Sequence, residues 1–143
     1  MSLLFRSSPR NPDLALLIVR VAAGIVFLAH GAQKLFTMGL AGTEGMFTTI
    51  GAPAPRMTAP LITFIELLGG LAFIGGLLTR LAALGLVADM IGAILIVHLS
   101  HGLTGQGGFE FPLTLLAISL AIMVSGAGRY SIDAVIADRT KAS

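Results

Sequence analysis

Cysteine is absent from the 143 residues. That excludes disulfides, thiolate nucleophiles, c-type haem attachment and cysteine-ligated iron–sulfur clusters. If the chain takes part in redox chemistry, its own side chains do not carry the electrons. Charge is scarce as well: 11% of residues are Asp, Glu, Lys or Arg, against about 25% in an ordinary globular domain. The net charge of +2 is too small to imply a nucleic-acid partner. The pI of about 9.7 reflects few acids rather than a basic patch. No glycine pattern resembles a P-loop or a dinucleotide fingerprint, and no extramembrane domain is left over to hold a nucleotide.

What remains is apolar: 55% hydrophobic residues, with a mean hydropathy of +0.93. This composition predicts a polytopic membrane protein whose residues 1–143 form one small domain. Residues 1–12, with Arg6, Arg10, Pro9 and Pro12, read as a cytoplasmic lead-in. Asp13 is the expected N-cap of a permanent first helix rather than of a cleaved signal. Hydropathy predicts four spans, at about 13–36, 60–78, 80–100 and 109–125. Between the first two spans, Gly39, Gly42, Gly45, Gly51, Pro53 and Pro55 mark the longest loop. A short interfacial helix is expected in it near Glu44–Ile50, carrying the apolar patch Met46, Phe47 and Ile50. A short terminal helix is expected to start at a cap within Ser131–Asp133.

The expected fold is therefore all-α, a membrane-spanning antiparallel four-helix bundle. Four spans place both termini on one side. Arg6, Arg10, Arg80, Arg129, Arg139 and Lys141 share that side, against Arg56 and Lys34 on the other. The positive-inside rule makes it the cytoplasm, and the compartment the inner (plasma) membrane.

The polar residues inside the spans carry the functional argument. A charge near mid-membrane costs roughly 2.5–3.5 kcal/mol even on lenient insertion scales. It persists where it faces protein or water and finds a partner. At 100° per residue Arg20, Phe27 and Lys34 share a side of the first helix, with His30 within a quarter turn. Taking ~1.5 Å per residue, His30, Glu66 and His98 come out at one depth in the outer third of the membrane. Lys34 and Glu110 lie just above them, at the mouth of the expected pocket. Arg20 and Asp89 lie deeper and are expected to form an inner ion pair. Asp89 and His98 are nine positions apart, on opposite faces of a regular helix, and should share a narrow pocket only if that helix is kinked or buried all round.

Several stretches resemble the DoxX family of small bacterial and archaeal membrane proteins: R-V-A-A-G-I-V-F-L-A-H-G-A-Q-K-L-F (20–36), E-L-L-G-G-L-A-F-I-G-G-L-L-T-R-L-A-A (66–83), M-I-G-A-I-L-I-V-H (90–98), G-G-F-E-F-P-L (107–113) and G-A-G-R-Y-S-I-D-A (126–134). The resemblance covers almost the whole chain in order. It implies a four-helix integral membrane protein. The family is named for an association with a terminal quinol oxidase and is similar to thiosulfate:quinone oxidoreductase subunits. Members are also linked with membrane-associated oxidative-stress complexes. Asp89 departs from the family pattern, where a neutral residue is more usual.

Two functional classes follow. One is a quinone-linked oxidoreductase component, with His30, Glu66 and His98 as hydrogen-bond and proton partners of a quinone, and Arg20, Lys34, Asp89 and Glu110 as further ligand-binding groups. Two His and a carboxylate are also a metal-ligand set for zinc or iron, and haem b between His30 and His98 is a further alternative. The other class is a non-enzymatic scaffold or small-solute carrier. It would dock a redox or stress-response partner, or a second copy, through the Met46–Ile50 patch and the small-residue helix faces.

Overall fold

The computed structural model describes residues 11–141. Arg6 and Arg10 of the expected lead-in lie outside the described residues. Every regular element among the described residues is helical. Helix α1 (Asn11–Ala32) continues through a π-helical segment, Gln33–Met38, into α2 (Gly39–Thr49). Helix α3 spans Pro55–Gly75 and α4 spans Thr79–Gly92. A second π-helical segment, Ala93–His98, and a 3-10 turn, Leu99–His101, extend α4. Helices α5 (Glu110–Ser125) and α6 (Ile132–Lys141) complete the chain.

Two boundaries differ from the sequence expectation. The short helix expected near Glu44–Ile50 is present, but it begins earlier, at Gly39. Gly39 turns the chain with φ 70°, and the Thr43 hydroxyl donates to the carbonyls of Lys34 (3.1 Å) and Gly39 (2.9 Å), holding α2 against the segment before it. Helix α3 starts at Pro55, five residues before Pro60. Ala54 turns the chain in the left-handed region, and Pro55, with φ already fixed near the helical value, opens the helix.

Polar residues are buried beside an apolar core, and apolar ones cover the outside. Arg20, Thr43, Thr63, Glu66, Thr79, Asp89 and Ser119 are buried, while Ile18, Ile25, Leu68, Leu81, Leu84 and Val124 are exposed. This inversion is what a lipid surround asks of a helical protein. Pro12–Thr49, Pro55–Gly75 and Thr79–His101 are long and apolar enough to cross a membrane, whereas Glu110–Ser125 is apolar but shorter.

Helices α1 and α3 run in opposite directions at close range. A Cβ on Gly24 would lie 2.8 Å from the Gly70 carbonyl, and one on Gly31 only 2.5 Å from the Leu67 nitrogen. Glycine at these positions is a packing requirement. Beside this seam Phe27 and Phe73 meet edge to face, centroids 6.1 Å apart, and Ala83, Leu86 and Ile122 complete the core.

The turn between α3 and α4 anchors one end of the molecule. Arg20 is fully buried there and donates to the carbonyls of Phe73, Ile74 (3.2 Å) and Tyr130 (2.8 Å). It forms no ion pair with Asp89, contrary to the expectation; backbone carbonyls exposed by the α3 terminus are its partners. Gly76, with φ 69°, leaves it room, since a Cβ would stand 2.6 Å from Arg20 Nη1. The chain after α5 closes over this end. Ser131 accepts from the Ala134 N–H (3.1 Å), capping α6 as expected. The Asp133 carboxylate accepts from the N–H groups of Leu78 (2.8 Å) and Thr79 (3.0 Å), and so caps α4 from a distance. Asp13 sits inside the first turn of α1 and accepts from the Arg129 N–H (3.1 Å), so it clamps the tail instead of capping its own helix.

Candidate functional site

The other end of the molecule encloses a cavity of about 440 Å³. Its walls come from six segments. Helix α1 gives Phe27 and His30, the first π-helical segment gives Lys34, and α2 gives Met46 and Phe47, with Ile50 just beyond. Helix α3 gives Ile62 and Glu66, α4 with its π extension gives Asp89, Met90 and His98, and α5 gives Phe111, Pro112 and Leu115. Most of this surface is hydrocarbon, broken by the hydroxyl of Thr58 and by five ionisable side chains: His30, Lys34, Glu66, Asp89 and His98.

Lys34 Nζ donates to Glu66 Oε2 at 2.5 Å, with side chains only 14% and 6% exposed. Such a pair holds in low dielectric because each charge answers the other. Lys34 is thus a direct partner of Glu66 rather than a residue reaching out to the headgroups. Asp89 stands within electrostatic reach of both. Its Oδ2 is buried and without a partner. His30 Nδ1 lies 2.9 Å from the Val26 carbonyl and His98 Nδ1 lies 2.8 Å from the Gly107 carbonyl. A carbonyl only accepts, so each Nδ1 is the donor and, in the neutral ring, Nε2 carries the free lone pair. The His30 ring stacks at a tilt on Phe111, centroids 5.9 Å apart.

The two π-helical segments shape this end. A π turn is about one residue wider than an α turn, so each of its residues advances through a smaller angle. The widening between Ala93 and His98 brings His98 back toward the side of Asp89. Both residues line the cavity although nine positions of regular helix would oppose them. The other segment, Gln33–Met38, carries Lys34.

The structure therefore brings together His30, Glu66 and His98 from the expected core of the site, and adds Lys34 and Asp89 to it. It leaves out Arg20, which belongs to the opposite end, and Glu110, which is exposed and outside the lining. Among the described residues no three His, Asp or Glu side chains converge closely enough to hold a metal ion. Met46, Phe47 and Ile50 of the expected patch line the cavity, Phe47 buried and the other two half-buried.

Two features escaped the sequence reading. Helix α2 as a wall was hidden by its glycines. The level of Asp89 is the other: it is expected deeper than Glu66, yet both line the same cavity. Glu66 lies ten residues before Gly76 and Asp89 ten after Thr79. Counting from the tight turn between them places both carboxylates at one height.

The sequence model of the DoxX family matches residues 15–99, more than half of the chain. The chain belongs to the DoxX family. Three relatives of this DoxX protein match most of its length. "Putative oxidoreductase CatD" of Bacillus subtilis (strain 168) is 36% identical over 110 residues, 77% of this chain and 79% of that protein. "Uncharacterized membrane protein Rv3486" of Mycobacterium tuberculosis is 34% identical over 139 residues, 90% of this chain and 85% of that one. "Inner membrane protein YqjF" of Escherichia coli (strain K12) is 31% identical over 126 residues, 87% of this chain and 93% of that one. No solved structure matches. With its apolar helices, the chain is a multi-pass membrane protein of this family.

Proposed function

We propose that this DoxX protein is a quinone-linked component of a plasma-membrane oxidoreductase. In this reading α1, α3, α4 with its extension and α5 are four spans of an antiparallel bundle. The cavity lies in its outer half and takes a quinone or quinol head group. One observation carries the reading: an apolar-walled cavity of about 440 Å³ holding a buried ion pair, a further buried carboxylate and two histidines. A ring with two oxygens and an apolar tail needs that combination of walls and hydrogen-bonding groups. Glu66 and Asp89 are the proton-handling groups, Lys34 holds Glu66 in place, and His30 and His98 orient the ring. The name of the Bacillus relative supports an oxidoreductase role. With no cysteine in the chain, the electrons pass to a separate redox subunit of the same membrane.

The test is binding of decylubiquinone and decylubiquinol to the purified protein in lipid nanodiscs. Saturable binding of at least one is expected, weakened tenfold or more by Glu66→Gln with the helical content retained. Binding of neither would overturn the reading and leave the scaffold or carrier role. A Soret band in the purified protein would instead assign the histidines to haem b.

A further inference from the structure

Helix α6 stands apart from the cavity and is thinly supported by the rest of the molecule. None of its ten residues is buried. Bonds at its start tie it down, where Ser131 caps it and Asp133 caps α4. A helix of ten residues is marginal in water on its own, and needs an apolar face to be covered. At 100° per residue Ile132, Val135, Ile136 and Arg139 share one side of α6, while Ala137, Asp138 and Lys141 share the other. The three apolar members of the first side are about half exposed. Ile132 also lines a groove between α3 and α4 together with Leu77, Leu78 and Leu81. Those three leucines are exposed and belong to the apolar surface that α3 and α4 turn to lipid. The stripe on α6 thus continues a surface that lipid covers. Tyr130, the one tyrosine of the chain, stands half exposed just before α6, and such rings gather at the level of the headgroups.

We infer that α6 lies along the bilayer surface at the anchor end, with the Ile132–Val135–Ile136 stripe among acyl chains and Arg139 on the phosphate of an anionic phospholipid. The charges are sorted for this. Arg139 is the charged residue on the apolar side, and its long stem reaches the headgroup level from there. The acids point elsewhere: Asp133 is turned to the start of α4 and Asp138 lies on the opposite side. A second copy presenting the same face offers Arg139 no carboxylate, so a dimer through this stripe would bury the guanidinium unpaired. A lipid phosphate pairs with it directly. The surface is separate from the cavity and serves whatever ligand the cavity takes.

The chain has no tryptophan, so Ile136→Trp and Ala137→Trp each introduce a single reporter, one on the stripe and one on the opposite side. Each full-length variant is placed in nanodiscs holding one copy, in equal mixtures of phosphatidylcholine and phosphatidylglycerol, with bromine on the acyl chains of one lipid at a time. Bromine quenches tryptophan fluorescence on contact. Ile136→Trp is expected to be quenched, and Ala137→Trp to escape bromine and stay open to iodide in solution. Brominated phosphatidylglycerol should quench Ile136→Trp more than brominated phosphatidylcholine. Adding Arg139→Gln should remove that difference, because one basic side chain near the surface favours anionic lipid roughly fivefold. Val135→Trp carries the same test should Ile136→Trp fail to fold. A stripe reporter that bromine does not reach is covered by water or protein, and overturns the inference. Quenching that disappears in discs holding two copies also overturns it, and gives the face to a second copy. Equal quenching of Ile136→Trp and Ala137→Trp removes the in-plane orientation, and equal quenching by the two lipids removes the phosphate contact of Arg139.

Discussion

Arg20 shows how one residue can be conspicuous in sequence and misassigned in role. A buried guanidinium in an apolar helix demands partners, and a carboxylate is the obvious one. Here the partners are carbonyls from the end of α3 and from Tyr130. The planar fork reaches several oxygens at once, which a lysine does not do. Arg20→Leu is therefore expected to cost at least about 3 kcal/mol, the loss of several hydrogen bonds from a charged donor. Adding Asp89→Leu should recover none of it, because the two residues do not meet. Unfolding of single and double variants in detergent measures this, and recovery in the double variant would reinstate an ion pair. Asp133 belongs to the same anchor. Burial works against its charge, but the N–H groups of Thr79 and Leu78, with Arg20 nearby, hold its carboxyl below the ordinary 3.8. A carboxyl depressed in the folded state contributes stability that is complete above its unfolded value and is lost as pH falls through the folded one. The melting temperature should therefore drop on acidification below about pH 4. Asp133→Asn should show less of that drop, and equal pH profiles for the two proteins would remove Asp133 as the cause.

At the scale of elements, glycines separate into those that pack and those that merely tolerate. Gly31 faces backbone: an added Cβ would stand 2.5 Å from the Leu67 nitrogen. Gly31→Ala must push α1 away from α3 and shift the Lys34–Glu66 pair that bridges them. Gly45 in α2 has open space around its would-be Cβ. Gly45→Ala is expected to stabilise by up to about 1 kcal/mol through helix propensity. Gly31→Ala should lower the melting temperature and weaken ligand binding together, and a neutral Gly31→Ala would refute the close seam. The sequence shows both glycines but not which is which, because that depends on the facing helix. The same limit explains α2. Gly39 and Gly42 read locally as loop ahead of the helix expected from Glu44, while the Thr43 hydroxyl bonds carry the helix back to Gly39. The long apolar segments were legible throughout, since hydropathy needs no partner. So were His30, Glu66 and His98, whose chemistry is out of place in a span. The π-helical segments were not legible, and with them went the placement of Asp89 and His98 on one cavity wall.

For the molecule as a whole, the two ends have different characters, and that asymmetry sets the expected orientation. The anchor end gathers Arg20 and Arg80, with Arg129, Arg139 and Lys141 following on the tail. The cavity end has Arg56 and a Lys34 already neutralised by Glu66. An excess of Lys and Arg near span ends marks the cytoplasmic face. The anchor should accordingly face the cytoplasm and the cavity the outer half of the membrane. Helix α5 is the weak point of a four-span reading: its 16 residues cover roughly 24 Å at ~1.5 Å each, short of a hydrocarbon core of about 30 Å. If α5 nonetheless crosses, α6 returns to the side on which α1 began. Alkaline phosphatase, active only when exported, distinguishes the cases. Fused after Ser143 it should be inactive, and inserted at Gly105, between α4 and α5, it should be active. Activity at both positions would mean that α5 does not cross. The reverse pattern would turn the molecule over and place the cavity in the cytoplasmic half, where ligand would enter from the opposite leaflet.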